Sequence, residues 1–209
     1  MTPSRAQPSQ RYRALLQLYG QMHREGEPTL KLAPAQTFSG GSLRQHLPAI
    51  RALIQATGAR TLLDYGSGKG GLYDERPLKL PEGGEAPSLA EYWGLESFRR
   101  YDPGYGPFAE RPAGTFDLVV CTDVLEHCPE EDLGWILGEI FGFARRAVYL
   151  CIAAYPAKKH LPSGENAHIT IKPLAWWAER LEQAADARPG VRWQAVVEEA
   201  GGGKIVARR

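Results

Sequence analysis

Apolar and polar positions follow two rhythms along the chain. Near the amino terminus Tyr12, Leu15, Leu16, Tyr19 and Met22 recur at the spacing of one helical face, which needs a surface to pack on. A second helical pattern opens at Leu47-Pro48, runs to Ala56 and is ended by Thr57-Gly58; Ser42 is placed to cap a short turn before it. From residue 60 onward, short apolar runs alternate with helical periodicity. Strands are expected at 60–65, 97–102, 116–121, 146–154, 191–198 and 203–208, and helices at about 88–93, 130–143 and 173–185. Such alternation predicts a doubly wound α/β fold, its mostly parallel sheet covered on both faces. The last two strands are separated only by Ala200-Gly201-Gly202-Gly203, too short for a crossover helix, so a C-terminal antiparallel hairpin is predicted.

At 209 residues the chain can hold one such domain. Residues 1–57 read as an N-terminal helical extension, with a frayed leader over about the first ten residues and Phe38 to Ser42 as a candidate lid. Residues 58–209 carry the alternating core. Pro77 to Pro87 is rich in proline, glycine and glutamate, so residues 72–90 read as an insertion in the first helix and loop. A formal net charge of +1 gives no general electrostatic case for nucleic acid. Cys121, Cys128 and Cys151 form an odd set without paired metal-ligand spacing, which makes a reducing cytoplasm the simplest compartment. No stretch approaches the roughly 18 apolar residues of a membrane span, so no membrane insertion is expected.

The chemistry concentrates first in Thr61-Leu62-Leu63-Asp64-Tyr65-Gly66-Ser67-Gly68-Lys69-Gly70, a buried strand feeding a glycine turn. Gly66, Gly68 and Gly70 allow a closeness of approach that a Cβ would obstruct, and the carboxyl ends of strands are where open α/β sheets bind ligands. The third glycine follows the second by two residues rather than three, which argues against a dinucleotide pyrophosphate site. With Asp64 two positions ahead of the first glycine, the segment resembles the first motif of class I S-adenosylmethionine-dependent methyltransferases. That resemblance implies a mostly parallel, seven-stranded-type sheet, a glycine turn (Gly66, Ser67, Gly68, Gly70) against the methionine and ribose of S-adenosyl-L-methionine, and Asp64 helping to orient its ammonium group.

Two further segments occur in the order this family shows. Phe98-Arg99-Arg100-Tyr101-Asp102-Pro103-Gly104 is a strand ending in an acid; Asp102 is the candidate for the ribose hydroxyls, with Glu96 as competitor and an Asp-Pro turn as the plain alternative. Phe116-Asp117-Leu118-Val119-Val120 is followed by Asp123-Val124-Leu125-Glu126-His127, which is similar to the Leu-Glu-His segment of many small-molecule methyltransferases. By this resemblance Thr122, Asp123 and Val124 lie beside the methionine and the transferred methyl, whereas Asp117 is structural and Glu126-His127 order the loop. No metal is expected, because no second His or Cys stands at helical ligand spacing from His127.

After the fifth strand, Tyr155 to Thr170 form a long polar loop that the resemblance turns toward the substrate. Asn166 and His168 are its substrate-binding candidates, and His168 is able to accept a proton from an acceptor. Lys158, Lys159 and His160 are candidates for an anionic group, whereas Trp176 and Trp177 are expected to anchor a helix. The expectation is methyl transfer to an O or N nucleophile of a small or carrier-linked acceptor, with Asp123 and His168 nearest the chemistry. A non-catalytic cofactor-binding scaffold and an aminopropyltransferase-like enzyme are the alternatives.

Overall fold

The computed structural model describes residues 2–199 and, by its backbone, 202–208. In chain order the elements are α1 (Gln10–Glu25), α2 (Leu47–Thr57), β1 (Thr61–Tyr65), β2 (Leu78–Lys79), β3 (Glu85–Ala86), α3 (Leu89–Trp93), β4 (Ser97–Tyr101), β5 (Phe116–Thr122), α4 (Leu133–Phe143), β6 (Ala144–Ala153), α5 (Leu174–Asp186), β7 (Arg192–Glu199) and β8 (Gly202–Arg208). The main sheet runs β4-β1-β5-β6-β7-β8. Its first five strands are parallel and β8 returns antiparallel to β7, from Glu199 opposite Gly202 to Trp193 opposite Arg208. Among the described residues the main sheet has six strands, one fewer than the seven-stranded type the resemblance implied. Ala200 and Gly201 of the expected turn lie outside the described residues.

Strict alternation divides the strand side chains between two cores. Leu62, Leu118, Val120 and Tyr149 pack with Ile50 and Ile54 of α2 and Trp93 of α3, whereas Leu63, Val119, Val148 and Leu150 pack with Ile136 and Ile140 of α4 and Leu181 of α5. A strand buried on both faces reads as a continuous apolar run for this reason. Trp177 is fully buried in the second of these cores, so it does anchor α5, and Trp176 lies under the Arg180 guanidinium.

The amino terminus is more firmly attached than its composition implies. Ser9 caps α1 by accepting the Tyr12 N–H at 2.9 Å, and its own N–H donates to Asp132 at 3.0 Å. Arg5 donates to the Tyr101 hydroxyl at 2.9 Å, so the expected frayed leader is tied to β4. The periodic face of α1 packs Tyr12 into the main core, and Leu15 and Met22 into a smaller cluster with Leu161 and Ala167 of the loop after β6. Ser42 caps nothing; Gly40, in the left-handed region, starts the 3-10 turn Gly41–His46.

Residues 72–90 do not interrupt a helix; they replace one. A 3-10 turn at Gly71–Tyr73, the β2-β3 hairpin and the single-turn α3 make the crossover from β1 to β4, and Leu72, Tyr73, Leu78 and Leu89 are buried beneath them. No helix among the described residues is long and apolar enough to cross a membrane. Cys121, Cys128 and Cys151 are buried free thiols.

Candidate functional site

The chain leaves β1 for β4 on one side and returns to β5 on the other, which opens a crevice at the carboxyl ends of these strands. A cavity of about 650 Å³ occupies it, lined by Asp64, Gly66, Ser67, Gly68, Asp102, Thr122, Asp123 and Val124 from the sheet. Its opposite wall is the N-terminal part of the chain, through Tyr12, Tyr19 and His23 of α1 and the segment around Phe38 to Leu43. The volume falls in the range of pockets that enclose a small organic ligand.

Backbone hydrogen bonds hold the glycine turn. The N–H groups of Gly66 and Ser67 both donate to the Tyr101 carbonyl, at 2.7 and 3.1 Å, and that of Gly68 donates to Asp102 Oδ2 at 2.8 Å. Gly66 (φ +82°) and Gly68 (φ +55°) occupy the left-handed region. A Cβ on Gly66 would overlap the Val124 side chain, and one on Gly68 would overlap the Phe38 carbonyl. Part of the closeness that glycine allows is therefore used by the protein's own N-terminal segment. Lys69 N–H donates to the Phe38 carbonyl and Gly71 N–H to the Ser39 carbonyl, both at 2.8 Å. Lys69 Nζ reaches the Thr37 carbonyl at 2.9 Å and His23 Nδ1 at 3.0 Å, a clamp that the motif does not announce. Gly70 does not line the cavity; it packs against Arg100 and closes the turn by donating to the Ser67 carbonyl at 2.9 Å.

Three carboxylates stand at the ends of β1, β4 and β5. Asp64 is almost wholly buried, and burial pushes its carboxyl up to about 7; the Tyr73 hydroxyl beside it opposes the shift without reaching hydrogen-bond geometry. Asp102 accepts the N–H of Gly68 on one oxygen and that of Gly104 at 2.8 Å on the other. It is thus the Asp-Pro turn former and a cavity residue at once. Burial raises its carboxyl, against these N–H groups and the nearby Lys69. Asp123 takes a left-handed backbone (φ +55°), a conformation Asp tolerates better than bulkier residues, and is held there by donating its N–H to the Cys151 carbonyl at 3.1 Å. Glu96, the rival acid, is an exposed partner of Arg60, away from the cavity. Asp117 accepts the N–H groups of Arg60 and Thr61 at the opposite end of β5.

The far wall is built by the residues after β5 and β6. Glu126 is fully buried, and burial together with Asp123 pushes its carboxyl up to about 8. Its Oε1 accepts the Ala153 N–H at 3.0 Å, and its carbonyl takes the N–H groups of Ile169 and Thr170, which pins the loop to the sheet. His127 Nδ1 lies 2.8 Å from the Ala167 carbonyl and 3.0 Å from the Tyr19 hydroxyl; desolvation, then His168, pushes its ring down to about 3. His168 lies edge-on to His127 with ring centres 4.8 Å apart, its Nδ1 2.6 Å from the Tyr155 carbonyl, and burial lowers its proton affinity too. Asn166 does not reach the cavity. Its amide closes the loop through the N–H and carbonyl of Ala157 at 2.9 Å each and the N–H of His168 at 3.0 Å, so both polar atoms of its side chain are engaged by the loop's own backbone. Lys158 and Lys159 line the cavity, Lys159 with its ammonium 4.8 Å from the Phe38 ring, whereas His160 forms the bridge to Asn166. Periodicity marks the α1 face, but nothing local in the sequence indicates that Tyr19 supports His127.

No family model matches the chain, and no curated protein matches it. Among solved structures it is similar to that of an O-methyltransferase family protein from Burkholderia thailandensis, at 15% identity and a TM-score of 0.51, over 84% of this chain and 59% of that one. The chain thus spans about three fifths of that protein's length, and the likeness is one of fold.

Proposed function

We propose that the protein transfers a methyl group from S-adenosyl-L-methionine to an O or N nucleophile of a small or carrier-linked acceptor. The observation that carries this reading is the convergence of Asp64, Asp102 and Asp123 with the Gly66–Gly68 turn on one cavity at the carboxyl ends of adjacent parallel strands. The residues suit that cofactor. Asp64 is a carboxylate whose proton affinity is raised by burial and further by Asp102, and an ammonium group placed against it would favour its charged form. Asp102 is fixed by two N–H groups, and each of its oxygens retains a lone pair for a ribose hydroxyl. Thr122, Asp123 and Val124, with Ser67, would hold the methionine portion. Gly70 supports the turn from behind.

When bound, the cofactor supplies a methyl group already activated by its sulfonium. The protein's own part is then positioning and exclusion of water. The α1 face and the Phe38–Leu43 segment close the cavity on the side away from the sheet. His168 Nδ1 is committed to the Tyr155 carbonyl, so Nε2 is the nitrogen free to take an acceptor's proton. The likeness in fold to an O-methyltransferase family protein supports this reading.

Titration calorimetry with S-adenosylhomocysteine tests it, comparing the native chain with Asp64→Asn and Asp123→Asn. Binding weakened at least tenfold, about 1.4 kcal/mol, in either variant supports the site. Absence of binding by folded native protein removes the reading. Binding without methyl transfer to any acceptor in a metabolite extract returns the scaffold alternative, and tighter binding of decarboxylated cofactor favours aminopropyl transfer.

A further inference from the structure

One ligand atom from each of Glu126, His127 and His168 lies within 4.8 Å of the other two. Both rings have their Nδ1 atoms committed. His127 Nδ1 stands 2.8 Å from the Ala167 carbonyl, to which the Tyr19 hydroxyl also donates at 3.0 Å, and His168 Nδ1 stands 2.6 Å from the Tyr155 carbonyl. A ring nitrogen that close to a carbonyl oxygen must carry the hydrogen, because the oxygen can only accept; Nε2 of each ring therefore keeps its lone pair. Glu126 is fully buried, and its Oε2 has no hydrogen-bond partner among the described residues. A loop-ordering role accounts for Oε1 and the two Nδ1 atoms but leaves Oε2 and both Nε2 atoms without a function.

We propose that Glu126, His127 and His168 bind a divalent first-row transition cation through Glu126 Oε2 and the two histidine Nε2 atoms, with the remaining coordination positions open to the cavity. Two imidazoles and one carboxylate suit zinc, manganese, iron or cobalt better than the all-oxygen shells preferred by calcium or magnesium. Donation of each Nδ1–H to a backbone carbonyl is the arrangement that fixes the tautomer of a ligating histidine. Metal–ligand bonds of roughly 2.0–2.2 Å bring ligand atoms to about 3–3.5 Å of one another, so the side chains draw in slightly on binding. Asp123 lines the same cavity as His127 and His168 and contributes a further carboxylate to its wall.

The ion site stands on its own geometry; its use rests on the methyl-transfer reading. There it selects an oxygen acceptor: a hydroxyl coordinated to a divalent cation would release its proton to solvent, and the resulting alkoxide would take the methyl from the sulfonium, breaking the S–CH3 bond and leaving S-adenosylhomocysteine as the neutral thioether. His168 then holds the ion and is not the base.

The test uses the full chain, stripped with a chelator and titrated with Co²⁺ while its visible absorption is followed. One equivalent should bind with a ligand-field band, and His168→Ala and Glu126→Gln should each weaken binding at least tenfold. His168 lies in a loop and is partly exposed, so its removal leaves the fold intact, which circular dichroism checks. No stoichiometric binding, or binding that both variants leave unchanged, overturns the assignment. S-adenosylhomocysteine titrated separately distinguishes the two readings: Co²⁺ bound without it keeps the ion site and removes methyl transfer, and the reverse outcome keeps methyl transfer and overturns the ion site.

Discussion

If Asp64 receives the ammonium group of the proposed cofactor, binding becomes a proton-releasing reaction. Burial holds its carboxyl at about 7 rather than 3.8, so at pH 7 about half of the molecules carry a proton there. An ammonium group placed against this carboxylate favours the charged form and drives that proton off. The structure therefore predicts release of about half a proton per S-adenosylhomocysteine bound at pH 7. Binding should strengthen as pH rises toward 7, by up to about tenfold per unit, and weaken again only at the higher pH where the ligand's own amino-acid ammonium group loses its proton. Calorimetry at pH 7 in two buffers of different ionisation enthalpy reads the release directly. Released protons are taken up by the buffer, so binding is more exothermic in the buffer of larger ionisation enthalpy. Glu126 lies nearby with a carboxyl pushed up to about 8, and subtracting the Asp64→Asn result isolates the Asp64 share. Equal heats in both buffers for native protein, or an unchanged buffer dependence in Asp64→Asn, would refute the placement of a cation against Asp64.

The remaining predictions concern the framework around the cavity. Leu15→Ala should lower stability to urea by about 2–5 kcal/mol, because the buried side chain joins α1 to the loop after β6. Gly68→Ala should cost about 1–3 kcal/mol, since φ of +55° disfavours any Cβ and this one meets the Phe38 carbonyl; a denaturation midpoint equal to native would contradict the packing of that segment on the turn. His127 stays neutral in the folded state down to about pH 3, whereas the unfolded chain takes up a proton as pH falls through its ordinary 6.5. Its contribution is thus present above about pH 6.5 and lost as pH falls toward 3. In metal-free protein, native should lose about 2–3 kcal/mol more than His127→Gln between pH 7 and pH 4.5. The opposite slopes of Asp64 and Glu126 cancel in that difference. Parallel losses in urea stability would show that His127 is not held neutral.

What is legible in the sequence is whatever a short window of residues decides. The five-residue run at Thr61 to Tyr65 is buried on both faces, so its side chains alone announce a strand, and the short link before β8 announces the hairpin. The crossover at 72–90 escapes such a window because its apolar residues Leu72, Leu78 and Leu89 are scattered among prolines and glycines, without the period of any helix. At the site the difficulty is of another kind: polar side chains compete for the same partners, and only the fold decides which of them are left over. Asn166 and His168 look equally available in a polar loop. The structure spends every group of Asn166 on backbone, whereas His168 gives up only Nδ1. The spacing rule applied to His127 looks only along one helix, so it does not register His168. His168 reaches the His127 ring from the loop after β6, which is pinned by the main chain of Glu126 itself, whose carbonyl takes the N–H groups of Ile169 and Thr170. The residue that leaves a carboxylate oxygen unmatched is thus also the one that brings the second histidine to it, and that coupling is visible only when both strands' ends are in view.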